Sequence, residues 1–144
     1  MYNKLTGDTM ANAQRVTCLK ARIEDKPGEL LAVLKDLKGK NLGLKGLWAS
    51  TTEAGWSDVY VIPKNPEKVR NYWKGSSLLA EEATAFFVKG DDKTGVLVKM
   101  LEAVSQAGIN LVRTDALAVG GKYGTFILVA PGDADKMAKV IAAK

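Results

Sequence analysis

The chain has 144 residues, enough for one ordinary domain or two small ones and too few for a large two-domain enzyme. It is 47% apolar and 26% charged, a balance that points to a folded soluble protein, and no apolar run reaches the length of a bilayer span. Histidine is absent, which excludes imidazole bases, Ser-His-Asp and Cys-His pairs and His-ligated metals together.

Other exclusions follow. The single cysteine, Cys18, can make no internal disulfide, which suits a cytoplasmic protein, and no cofactor or membrane partner is expected. Lys and Arg total 21 against 16 Asp and Glu, a net charge of +5 that admits an anionic partner. The densest basic group, Lys35, Lys38, Lys40 and Lys45, falls at the end of an expected helix, where cations complement the carbonyl end of the dipole. No aromatic residues interleave there to stack bases, so nucleic acid is not the expected partner.

In chain order, residues 1–15 read as a polar arm, loose through Gly7, Asp8, Asn12 and Gln14 and lacking the apolar stretch of a secretory signal. Val16 to Glu24 has the alternation of a half-buried strand. Pro27 and Gly28 punctuate, and Leu30, Leu34 and Leu37 then mark an amphipathic helix that stops near Gly39. Leu42 to Thr52 and Ser57 to Ile62 read as a hairpin turning at Glu53, Ala54 and Gly55. Asn65 followed by Pro66 opens a helix carrying Val69, Tyr72 and Trp73. Ser77 to Lys89 is one long extended stretch, closing one unit and opening the next.

The second half repeats the first. Asp25, Lys26, Gly28, Leu30 and Leu34 recur 67 positions later as Asp92, Lys93, Gly95, Leu97 and Leu101. The same shift carries Leu42 and Leu44 onto Ile109 and Leu111, and Val59 to Ile62 onto Phe126 to Val129. The second copy therefore has a helix from Thr94, its N-cap, to Ala107, then a hairpin turning at Gly120-Gly121. A last helix from Gly132 carries Met137, Val140 and Ile141. Each copy is a βαββαβ unit with an antiparallel sheet and helices on one face, an α+β, ferredoxin-like fold. Copy one is expected over residues 16–82 and copy two over 83–144, the second lacking its closing strand. The arm, with Tyr2, Lys4 and Leu5, is a candidate to pair in that place.

The run Asp25-Lys26-Pro27-Gly28-Glu29-Leu30, its recurrence as Asp92-Lys93-Thr94-Gly95-Val96-Leu97, and the trailing Gly108-Ile109-Asn110-Leu111 resemble the ACT domain family of amino-acid-binding regulatory modules. The match spans nearly all of residues 16–141 and is closest to small proteins made of two ACT domains alone. The resemblance implies a non-catalytic sensor with a free amino acid as ligand, a homodimer or a partner enzyme that reads the ligand, and a site where the first loop of one unit meets the second strand of a neighbouring unit.

The residues fit such a ligand. Gly28 and Gly95 let backbone approach it at the positive end of a helix, where a carboxylate is favoured. An ammonium needs oxygen acceptors, offered by Asp25, Asp92, Asp115 or the amide of Asn110, while Leu30, Val96 and Leu111 face the ligand side chain. The candidate site residues are thus Asp25, Lys26, Pro27, Gly28, Glu29, Leu30 and Asn41 in copy one. In copy two they are Asp92, Lys93, Thr94, Gly95, Val96, Asn110 and Leu111. The register sets Gly43 against Asn110, with Asn41 two residues early, so copy two is expected to hold the better site.

Structural roles compete for the same residues. The glycines also suit a tight strand-to-helix turn, the aspartates suit side-chain bonds that fix it, and Asn110 suits a helix end. Leu30, Leu34, Leu97 and Leu101 are expected in the core, as are Trp48, Trp56 and Trp73 in packed or half-packed positions. Rival functions are a degenerate ACT module that only dimerises or docks on an enzyme, a nucleic-acid-binding ferredoxin-like module, and an acylphosphatase-like enzyme. The second lacks the aromatic pattern of RNA-recognition sheets, although Tyr60, Phe86, Phe87 and Phe126 are present. The third lacks an arginine in its glycine loop, Arg22 lying within the first strand.

Overall fold

A strand of thirteen residues, Asn12–Glu24 (β1), opens the computed structural model, which describes residues 12–143. The elements that follow are α1 (Glu29–Gly39), β2 (Leu44–Glu53), β3 (Trp56–Pro63), α2 (Pro66–Gly75) and β4 (Leu79–Asp91). They are succeeded by α3 (Val96–Gln106), β5 (Leu111–Val119), β6 (Lys122–Val129), a single 3₁₀ turn at Pro131–Asp133 and α4 (Ala134–Val140). The fold is α+β and ferredoxin-like. No helix among the described residues is long and apolar enough to cross a membrane.

The chain divides into two compact units, Thr17–Ala83 and Thr84–Lys144, the second joined by residues up to Val16. In the first unit the strands run in the order β2-β3-β1, with β3 antiparallel to both neighbours. Alternate residues Leu19, Ala21 and Ile23 of β1 and Val59 and Val61 of β3 face the helices. They meet Val33 and Leu37 of α1 and Val69 and Trp73 of α2. Asn65 accepts the amide of Lys68 at 3.2 Å and Pro66 takes the first helical position, as the sequence predicts for α2. Leu78 and Leu79, at the opening of β4, pack against this core.

The second unit runs β4-β6-β5, also antiparallel. Phe86, Val88, Ile127 and Val129 face Met100 and Val104 of α3 and Met137, Val140 and Ile141 at the C-terminal helix. Ala13 belongs to this core and is 6% exposed. The closing strand expected to be missing is therefore present: the first residues of β1 supply it, next to β4. Residues 12–15, expected in a loose arm, are strand. The pairing suggested for Tyr2, Lys4 and Leu5 lies outside the described residues.

Two further expectations are corrected. The helix of copy two starts at Val96 with Gly95 as its N-cap, not Thr94, because Gly95 takes the left-handed conformation (φ 80°) that turns the strand into the helix. The repeat is also not ungapped. Leu19 pairs with Val61, whereas its counterpart Phe86 pairs with Ile127, so the offset falls from 67 (86 minus 19) to 66 (127 minus 61). The cause is a register shift between Thr51 and Glu53 in β2, which gives the first hairpin one residue more than the second. Val59 thus corresponds to Thr125 and Tyr60 to Phe126.

Candidate functional site

The two strand-to-helix loops share one backbone design. The Asp25 amide donates to the Gly55 carbonyl at 2.9 Å, and the Asp92 amide donates to Gly121 at 2.9 Å, so each loop is pinned to the hairpin turn beside it. Gly28 and Gly95 have φ of 90° and 80° at the helix starts, and no side chain among the described residues caps either helix. Pro27 and Thr94 are exposed, as are Lys26 and Lys93. Lys26 pairs with Glu24 at 2.5 Å, and this hydrogen bond raises the lysine above its ordinary pKa. Glu29 is half-buried. Leu30 and Val96 pack against the cores of their units.

The aspartates differ. The Asp25 carboxylate accepts hydroxyl bonds from Thr51 at 3.3 Å and Ser57 at 3.1 Å, which lock the loop to the hairpin. The corresponding positions in copy two are Ala118 and Tyr123 (118 minus 51 is 67; 123 minus 57 is 66). Asp92 accordingly receives no side-chain hydrogen bond among the described residues. Its neighbour Asp91 pairs with Lys122 instead, which holds the Asp91 carboxyl below its ordinary pKa. The Asp25 carboxylate is thus engaged within its own unit, whereas Asp92 is exposed.

At the other end of each first helix lies a groove. Leu34, Leu37, Lys38, Asn41, Leu42, Gly43 and Leu44 line one of 300 Å³. Leu101, Val104, Ser105, Gly108, Ile109, Asn110 and Leu111 line another of 470 Å³. Every member of the second set is a member of the first plus 67. The shared backbone cause is a left-handed residue after the helix, Asn41 (φ 55°) or Gly108 (φ 71°). In each copy the next residue returns its amide to the helix, Leu42 to Leu37 at 2.9 Å and Ile109 to Val104 at 3.2 Å. Asn41 is therefore the counterpart of Gly108, not a displaced Asn110. Asn110 is exposed on the groove, while Leu111 packs partly against the core.

The structure does not bring loop and groove together within a unit. Each lies at one end of an eleven-residue helix, about 16 Å long at 1.5 Å per residue. Asp115, on β5, is held by Arg113 at 2.9 Å.

Some expected core positions are open. Leu101 is 40% exposed because Met100, Ala103 and Val104 carry the buried side of α3. Trp73 is fully buried, Trp56 is exposed and Trp48 stacks on Tyr60 at 6.1 Å. Ser105 lines its groove without having been singled out in the sequence, and Lys38, read there only as part of the basic run, lines the other. The 67-residue shift applied to the end of each helix is the signal that finds them.

No family model matches the sequence, and no curated protein does. Solved structures do match. Protein BT0572 from Bacteroides thetaiotaomicron is 22% identical, with a TM-score of 0.77 over 92% of this chain and 90% of that one. The regulatory subunit of aspartate kinase from Thermus thermophilus, in a ligand-free form, is 14% identical, with a TM-score of 0.61 over 91% of this chain and 93% of that one. The corresponding subunit from Thermus flavus is 14% identical, with a TM-score of 0.59 over 91% and 92%. The chain shares the fold of these proteins across nearly its whole length.

Proposed function

We propose that the chain is a cytoplasmic tandem ACT-domain protein that senses a free amino acid and has no catalytic activity of its own. The observation that carries this reading is the pair of grooves built from the same seven positions in both copies. The likeness in fold to regulatory subunits supports it.

The ligand sits in the copy-two groove, where the Asn110 amide offers both a donor and an acceptor to the amino-acid backbone, and Leu101 and Leu111 face its side chain. Asp92 neutralises the ammonium, and the amides of Thr94 and Gly95 receive the carboxylate, the Val96 amide being bonded to the Lys93 carbonyl at 3.0 Å. Lys93 adds positive charge near that carboxylate. Groove and loop lie at opposite ends of a helix, so a loop from another chain closes the site, which makes a homodimer the working form. Asp25, Lys26, Pro27, Gly28, Glu29, Leu30 and Asn41 form the weaker equivalent, because the Asp25 carboxylate is already engaged.

A thermal-shift panel of the twenty amino acids tests this. One of them, at about 100 times its dissociation constant, should stabilise the protein by roughly 2.7 kcal/mol. Asn110→Ala and Asp92→Asn should each abolish the shift while leaving the unliganded melting temperature in place. No response to any amino acid at millimolar concentration rejects the reading.

A docking module is the second reading, favoured by β5. That edge strand exposes Val112, Leu117 and Val119 at 60%, 70% and 69%. Size-exclusion of the wild type and Leu117→Lys, with and without amino acids, separates the two: assembly lost in the variant and indifferent to ligand favours docking.

A further inference from the structure

Three lysines distant in sequence line one groove of the first copy: Lys40 just after α1, Lys64 just after β3 and Lys68 in the first turn of α2. The groove measures 330 Å³, and Asn41 and Asn65 complete its polar wall. None of the three lysines makes an ion pair among the described residues. The acidic groups nearby are Asp36, which accepts the Tyr72 hydroxyl at 3.0 Å, and Glu67 in the first turn of α2.

The second copy provides an internal control, because the same backbone there carries a single lysine, Lys136, which donates to the Ala107 carbonyl at 3.5 Å and is paired with Asp133 at 3.9 Å. Lys40 corresponds to Ala107. The two residues between β3 and α2, Lys64 and Asn65, are replaced by Ala130 alone. Counting from the shared proline (131 minus 66 is 65), Lys68 corresponds to Asp133. The fold therefore does not require these lysines. The exchange also extends to Gly43, whose counterpart is Asn110. Lys64 donates its amide to the Gly43 carbonyl at 2.9 Å, and a Cβ on Gly43 would lie 3.0 Å from the Lys64 Cδ. Gly43 makes room for the lysine where copy two keeps an amide side chain.

We propose that this groove binds a small polyphosphate anion, with Lys40, Lys64 and Lys68 supplying the countercharge. Recognition is by charge and not by stacking, because the Lys40 ammonium already covers the Tyr72 ring at 4.3 Å from its centroid. A nucleobase adds nothing, and tripolyphosphate and ATP bind alike. The groove shares Asn41 with the weaker copy-one site but no residue with the copy-two site, so the proposal survives the failure of the amino-acid reading.

Calorimetric titration of the full chain with tripolyphosphate, ATP and a short oligothymidylate at low salt is the test. The expected result is comparable binding of the first two, weakened by added salt. Affinity should fall about tenfold or more in Lys40→Ala/Lys64→Ala/Lys68→Ala. The double variant Lys64→Ala/Lys68→Ala, which keeps the Lys40–Tyr72 contact, should show most of that loss. A charge-matched variant, Lys89→Ala/Lys99→Ala/Lys139→Ala, should bind as the wild type does. Equal losses in the two triple variants, no binding of tripolyphosphate at millimolar concentration, or an oligonucleotide bound more than tenfold tighter than tripolyphosphate would each overturn the proposal.

Discussion

Arg70 and Glu82 meet in a two-pronged ion pair, Nε to Oε2 at 2.7 Å and Nη2 to Oε1 at 2.5 Å, that ties α2 to the opening of β4 within the first unit. The hydrogen bonding from Arg70 holds the Glu82 carboxyl below its ordinary pKa. A lowered carboxylate contributes stability in full above its unfolded value and loses it as pH falls through the folded one. Glu82→Gln should therefore be less stable than the wild type at neutral pH, and the gap should close as pH drops below about 4. Urea midpoints from pH 7 to pH 3 measure this. A gap that stays constant would show that the pair adds no pH-dependent stability.

Thr125 is wholly buried, and its hydroxyl has no hydrogen-bond partner among the described residues. Val59 stands at the same register position in the first unit and is equally buried. Thr125→Val keeps the shape and removes an unsatisfied polar group, so it should stabilise the protein by about 1 kcal/mol. Denaturant midpoints check it, and a destabilised variant would mean the hydroxyl is satisfied in solution.

The left-handed conformation of Asn41 has a direct test. Asn41→Gly should be at least as stable as the wild type, as Gly108 shows at the same turn. Asn41→Val should cost about 1–2 kcal/mol, the penalty of a branched side chain at positive φ. Equal stability of the two variants would reassign the turn.

Ala13 tests the origin of the closing strand. An aspartate there places a charge in the buried cluster that holds Phe86, Met137 and Ile141, and the cost should be about 3 kcal/mol or more. Amide exchange should quicken within residues 84–143 before it does in 17–83. Uniform exchange would show that the strand does not belong to the second unit.

The repeat was legible because its turns demand the same chemistry: Gly28 and Gly95 occupy one backbone conformation, and the aspartates before them pin equivalent loops. The helix stripes and the Asn65-Pro66 start were legible for the same local reasons. The register slip was not, because one extra residue near Thr52 leaves the flanking apolar pattern readable in either frame. The strand at Asn12–Val16 was hidden for a different reason. Among residues 13–16 only small Ala13 enters a core, and the second unit's part of β4, beside it in the sheet, begins some seventy positions away. The lysine groove was half visible: Lys40 stood in a dense basic run, but Lys64 and Lys68 join it only through the packing of α2 beside the end of α1.

The borrowed strand also sets an order of events. Residues 12–16 are synthesised long before the strands and helices of the unit they complete, and Met137, Val140 and Ile141, which share a core with Ala13, come late. The first copy can gather its core as soon as Leu79 has emerged, whereas the second must wait for Ile141 while its earliest segment stays unclaimed. Cutting the protein between Ala83 and Thr84 would consequently not yield two equivalent halves. The downstream fragment would carry both helices of its unit and an open sheet edge, and the upstream fragment would carry the strand that closes it.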